Sequence, residues 1–193
     1  MGWRCRILGG FSASPPTMPA SPPALLFTGL PGAGKSTLAF ALAAWLERQG
    51  RSCRVLDGDV LRAGPCVDLG YTDADRLEQA RRAGAMAAGL RREGHIVLLA
   101  LVTPLAAHRA ALRSMLGNGL IEVWCNPPRA ICEARDPKGL YAAARAGTLR
   151  GLTGVDAPYE APADALMLDT DALALETCLV RLLAHCPALG VPP

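Results

Sequence analysis

The 193 residues fit one domain by length, and a hydrophobic content of 51% supplies enough apolar side chain for a sizeable core, which excludes global disorder. A formal net charge of +3 and only 5% aromatic residues argue against a nucleic-acid-binding surface, which needs more positive charge and more stacking platforms. The longest aliphatic run, Ile96 to Val102, is far below the ~18 residues of a membrane span, and the seven cysteines contain no C-x-x-C pair, which fits a reducing cytoplasm.

Residues 1–23, rich in Pro and Ser, read as a disordered tail, with Met18 an alternative start to Met1. The folded domain is expected over residues 24–193. Ala24–Thr28 reads as a buried strand, and Leu38, Leu42 and Trp45 recur at helical spacing until Gly50 ends the helix. Cys53–Leu56 is a second strand. Thr72 with Asp75 forms a capping-box-like start to a long Ala-rich helix that reaches about Glu93. Ile96–Val102 is continuously apolar, as strands covered on both faces are, and Pro104 separates it from a helix over Leu105–Leu116. Ile121–Cys125 is the fourth strand, followed after Pro127-Pro128 by a short helix through Arg135. Residues 136–160 are punctuated by glycines, Leu166–Leu168 reads as the fifth strand, and Ala172–His185 as the last helix. This alternation predicts a three-layer α/β fold, a parallel five-stranded sheet with helices on both faces.

Gly29-x-x-x-x-Gly34-Lys35-Ser36 matches the phosphate-binding P-loop and sits between a strand and a helix, as that motif requires. The glycines let backbone N–H groups turn toward phosphate oxygens, Lys35 supplies a point charge, and the Ser36 hydroxyl is suited to Mg²⁺. The second strand runs into Asp57-Gly58-Asp59, two carboxylates at the ligand-facing end of a parallel sheet. They are candidates for the proton-accepting base and for the metal's water shell; the spacing leaves the division of roles open, and Asp59 is the preferred base. Arg62 lies one helical turn beyond Asp59. In the helix after Tyr71, Glu78 with Arg81 and Arg82 reads as solvated ion pairing, whereas Arg76 and Gln79 read as ligand contacts. The three histidines read as packed or solvent-facing, and Tyr159-Glu160-Ala161-Pro162 suggests no mechanism by itself.

These segments together resemble the adenylylsulfate kinase (APS kinase) family. The resemblance rests on Gly29–Thr37, Leu56-Asp57-Gly58-Asp59-x-x-Arg62, Asp68-Leu69-Gly70-Tyr71 and Asp75-Arg76-x-Glu78. It continues through Asp136-Pro137-Lys138-Gly139-Leu140-Tyr141, Thr153-Gly154-Val155-Asp156, Pro158-Tyr159-Glu160-Ala161-Pro162 and Leu168-Asp169-Thr170. It implies a P-loop kinase fold with a mobile lid at about 136–160, and Mg-ATP-dependent phosphorylation of the 3′-hydroxyl of adenosine 5′-phosphosulfate to PAPS in sulfate assimilation. By position, it implies an ATP site at Gly29, Gly32, Ala33, Gly34, Lys35, Ser36, Thr37, Arg135, Thr170 and Leu173, with Ser36 on the metal. The acceptor site falls on Asp59, Arg62, Tyr71, Arg76, Gln79, Val102, Thr103, Lys138 and Leu152, and catalysis on Lys35, Asp57 and Asp59. A cytoplasmic homodimer and an ATP sulfurylase partner are further expectations, with no role for nucleic acid or membrane. Gln79 stands where the family usually has Asn, Leu152 where it has Phe, and Thr103-Pro104-Leu105-Ala106 where it has Ser-Pro-Tyr-Arg; Val60, Ala63, Cys66 and Val67 also depart. These changes all fall on the acceptor side. They keep open a kinase for another nucleotide or small-molecule hydroxyl, and a nucleotide-binding regulatory module without catalysis.

Overall fold

Two segments of the chain are apolar at nearly every position, and both become fully buried strands: β1 (Ala24–Thr28) and β3 (Ile96–Ala100). Such strands need cover on both faces, because successive side chains point to opposite sides of the sheet. The computed structural model, which describes residues 21–189, supplies that cover. With β2 (Cys53–Asp57), β4 (Leu120–Cys125) and β5 (Leu166–Leu168), these strands form one parallel sheet in the order β2-β3-β1-β4-β5. β1 lies at the centre, with Leu26 beside Leu99 of β3 and Phe27 beside Val123 of β4. Among the described residues there are seven α-helices: α1 (Lys35–Arg48), α2 (Gly58–Ala63), α3 (Asp73–Arg92), α4 (Ala106–Leu116), α5 (Arg129–Arg135), α6 (Leu140–Arg145) and α7 (Leu175–His185).

The alternation within β1 divides the core in two. Leu25 and Phe27 pack with Leu38, Leu42 and Leu46 of α1 and Leu182 of α7. Ala24 and Leu26 pack with Ala80, Ala83 and Ala87 of α3 and Leu112 and Leu116 of α4. The small residues on α3 let it lie close to its neighbours, and at Gly84 a Cβ would stand 2.6 Å from the Met115 sulfur of α4. The Thr72/Asp75 capping box opens α3 as the sequence predicts. α2 supplies the helical turn expected between Asp59 and Arg62, and Asp57 is its cap.

Most boundaries agree with the sequence reading to within one residue, and the larger differences have local reasons. β3 ends at Ala100, two residues early, because the chain leaves the sheet before Thr103, whose φ is +38°. α7 starts at Leu175, not Ala172, because the Asp169 carboxylate holds the Asp171 and Ala172 amides in a turn. Most of the expected tail lies outside the described residues, but Pro22 and Pro23 already engage the fold, accepting hydrogen bonds from Arg91 Nε and Val97 N. The six cysteines among the described residues are buried free thiols.

The central position of Leu98, fully buried on β3, makes it a sensitive probe of this packing. Leu98→Ala is expected to cost about 2–5 kcal/mol, and thermal denaturation should register this as a fall of about 5–15 °C. A shift below 2 °C would show that the two-sided cover of the sheet is looser than described.

Candidate active site

Phosphate chemistry requires donors that converge on one point, and the turn after β1 provides them. Gly29 leaves the strand at φ +144°, and a Cβ there would lie 2.3 Å from the Cys125 carbonyl oxygen, so only glycine fits. Gly34, at φ +82°, caps α1, whose first turn has no acidic residue to offset the positive end of the helix. Lys35 Nζ donates to the loop's own carbonyls, Gly29 O at 3.1 Å and Leu30 O at 2.8 Å. Burial pushes its pKa down to about 8. Ser36 Oγ donates to Asp57 Oδ2 at 2.5 Å. Arg135 braces the far side of the loop, donating to Gly32 O, Thr170 O and the Asp171 carboxylate, while Thr170 Oγ1 donates to Ala33 O.

The other half of the site grows from the end of β2. Asp57 is buried and both carboxylate oxygens are engaged, Oδ1 accepting the Asp59 amide at 2.9 Å and Oδ2 the Ser36 hydroxyl. Asp59 is exposed and pairs with Lys138, so only its carboxylate is free to exchange partners. Arg62 is fixed by donating to Leu69 O, Gly70 O and Gln79 Oε1, and its guanidinium lies 4.4 Å from the centre of the exposed Tyr71 ring. Gln79 is buried, and its amide nitrogen donates to Gly58 O at 3.2 Å. Both ends of Gln79 are therefore occupied, and it steadies Arg62 besides bordering the site. Arg76 donates to Tyr71 O and Gly151 O. The ion pairing of Glu78 with Arg81 and Arg82 is present, extended by a two-point contact of Arg82 with Asp68.

Residues 136–160 cover these two halves. Asp136 holds the first turn of α6 by accepting the Tyr141 and Ala142 amides, and the buried Tyr141 donates its hydroxyl to Pro31 O of the P-loop at 3.0 Å. The Asp156 carboxylate accepts the Gly151 and Leu152 amides, both at 2.7 Å, and Leu152 turns inward with 6% exposure.

A single cavity of about 880 Å³ runs from the P-loop to Tyr71. Every site residue read from the sequence lines it except Gly29 and Ala33. Gly29 stands behind the loop against Cys125, and Ala33 is fully buried with its amide donating to Leu30 O, so both shape the loop without facing the cavity. Phe40 on α1, half-exposed, lines the cavity and went unread, because its spacing looks like any outer helix position. Thr28 and Arg109, which with Tyr159 fix the loop after β3, carry no motif, and Tyr159 lies in a family segment whose role the sequence leaves unexplained. Only the unexplained Tyr159-Glu160 pair pointed toward them.

Residues 21–169 match the model of the adenylylsulphate kinase family. The chain is 48% identical over 164 residues to the adenylyl-sulfate kinase of Paraburkholderia xenovorans, spanning 84% of this chain and 92% of that protein. It is 53% identical over 142 residues to the adenylyl-sulfate kinase of Escherichia coli (strain K12 / DH10B), spanning 73% of this chain and 71% of the relative. The solved structure of the Mycobacterium tuberculosis APS kinase in complex with AMPPNP and APS matches with a TM-score of 0.81 at 42% identity, over 86% of this chain and 99% of that one.

The lowered Lys35 pKa has a consequence for nucleotide binding. A phosphate placed against Lys35 would hold its proton, so nucleotide binding above pH 8 is expected to take up a proton and to weaken as pH rises through about 8. Calorimetric titration with ADP in two buffers of different ionisation heat at pH 8.5–9 should reveal this uptake, and Lys35→Met should abolish it. In the free protein the same depressed pKa makes the Lys35 contribution to stability rise from about pH 8 toward 10.5. Equal proton uptake by wild type and Lys35→Met would place the titrating group elsewhere.

Proposed function

The chain belongs to the adenylylsulphate kinase family, and on that premise we propose that it transfers the γ-phosphoryl group of ATP to the 3′-hydroxyl of adenosine 5′-phosphosulfate (APS), yielding PAPS and ADP. The observation that carries this reading is the continuous cavity, with phosphate-binding groups at one end and a carboxylate flanked by cations at the other. Both substrates need to lie in one enclosed space for an in-line transfer.

Lys35 exchanges its two loop carbonyls for phosphate oxygens, bringing its charge to the transferred group. The acceptor's 3′-oxygen attacks the γ-phosphorus, its proton passes to Asp59, and the bond to the β-phosphate oxygen breaks to release ADP. Arg62, already aligned by Gln79 and two backbone carbonyls, and Arg76 bind the anionic end of APS beside Tyr71. Lys138 leaves Asp59 when the acceptor enters, which frees the carboxylate and brings a cation to the reacting groups. The Ser36 hydroxyl and the Asp57 carboxylate are adjacent oxygen donors that would hold Mg²⁺. When bound, Mg²⁺ neutralises charge on the β- and γ-phosphates. Residues 136–160 act as the lid. This reading includes a homodimer acting in the cytoplasm after an ATP sulfurylase, the type of enzyme that makes APS by adenylyl transfer to sulfate. Among the described residues no helix is long and apolar enough to cross a membrane.

ADP release measured with APS and a panel of other nucleotides and small alcohols tests the acceptor, and APS should be preferred. Asp59→Asn should lower kcat by about 100-fold or more while Mg-ATP affinity stays near wild type. Asp57→Asn should weaken Mg-ATP binding, because one amide oxygen cannot accept from both the Ser36 hydroxyl and the Asp59 amide. Normal turnover by Asp59→Asn with a dead Asp57→Asn would reverse the two roles.

A further inference from the structure

Thr28 ends β1 directly before the P-loop and is fully buried. A threonine hydroxyl has one proton and two lone pairs, and here all three are used. The proton goes to Val102 O at 2.6 Å. One lone pair accepts from Thr103 Oγ1 at 3.1 Å, and the other meets the Tyr159 hydroxyl at 3.0 Å. With the Thr28 proton committed to Val102, Tyr159 is the donor. Burial pushes the Tyr159 pKa up to about 12, which keeps that proton in place.

Three segments thus meet on one oxygen: the strand that carries the P-loop, the loop after β3, and the end of the proposed lid. The loop after β3 is under strain, since Thr103 is β-branched and sits at φ +38°. It is held there by the buried Arg109, which donates to Thr103 O at 3.0 Å and Pro104 O at 3.3 Å and lies 3.7 Å from the buried Glu122 carboxylate. Glu160 fastens the same loop to the lid: its amide donates to Pro104 O at 2.8 Å, and its carboxylate accepts the Ala106 amide at the start of α4. The Tyr159 ring stacks on Trp124 with centroids 6.2 Å apart.

We propose that the Thr28 hydroxyl is a positioning group for the acceptor, setting Val102 and Thr103 against the P-loop and anchoring the end of the lid to the same strand. This rests on the assignment of the acceptor half made above. It gives the Thr103 hydroxyl a structural task, because its proton points at Thr28 in a buried place.

Thr28→Val keeps the shape but leaves Val102 O and the Thr103 and Tyr159 hydroxyls without their shared partner, whereas Thr28→Ser keeps the hydroxyl. Thr28→Val is expected to raise KM for APS about tenfold while KM for ATP changes less than about threefold, with Thr28→Ser near wild type. Adding Tyr159→Phe to Thr28→Val should cost little more, because both remove one shared contact. A readout independent of turnover is trypsin cleavage after Arg145 or Arg150 in the unliganded protein, located by mass spectrometry. Thr28→Val should accelerate it about fivefold and Thr28→Ser should not. An unchanged KM for APS with unchanged cleavage overturns the proposal, as does an equal rise in KM for both substrates. If wild type does not consume APS, the functional reading fails, and the cleavage rates still judge the junction. Should Thr28→Val fail to fold by circular dichroism, Tyr159→Phe takes the same two measurements, and wild-type values for both overturn the proposal.

Discussion

The close approach of Gly29 to the Cys125 carbonyl sets the geometry on which the site depends. Any side chain at residue 29 would overlap the end of β4, so the chain can leave β1 only by a turn that lies flat over the sheet. That turn aims the N-terminus of α1 at the cavity and places Lys35 and Ser36 on its first turn. Because β1 is flanked by β3 and β4, the same turn brings Val102 and Thr103 to one side and Arg135 to the other. Parallel strands end at the same edge, which is why residues far apart in sequence share one crevice.

The cations of the cavity are held by oxygens of the protein itself. Lys35, Arg62, Arg76 and Arg135 each donate to backbone carbonyls, and Lys138 pairs with Asp59. Carbonyl partners keep these groups oriented yet are weaker acceptors than a charged oxygen. The depressed Lys35 pKa has a related cause, since burial makes the ammonium costly where it stands.

The departures from the family on the acceptor side have separate physical outcomes. Cys66 is fully buried and packs beside Leu61 and Ala80, whereas Val60 and Val67 remain exposed. Gln79 reaches from Gly58 to Arg62, so the longer amide serves the guanidinium and the backbone at once. Leu152 is drawn into the core around α1 and leaves only its edge on the cavity.

Sequence alone determined what depends on short-range order. Short, mainly apolar runs between helical patterns marked all five strands to within two residues, the Thr72 cap marked the start of α3, and the P-loop spacing marked the donor half. The family motifs extended this to about half of the residues that line the cavity. What only the tertiary structure decided are the partners of those residues. That Asp57 caps α2 while Asp59 faces Lys138 is invisible in an Asp-Gly-Asp string, since either carboxylate can serve an Asx turn. That Thr28, Thr103 and Tyr159 share one hydroxyl oxygen arises from the edges of neighbouring strands meeting a segment 131 residues further along. Local propensity records the backbone a residue prefers. It holds no record of which distant group satisfies a buried hydroxyl, because that is set by how the layers close on one another.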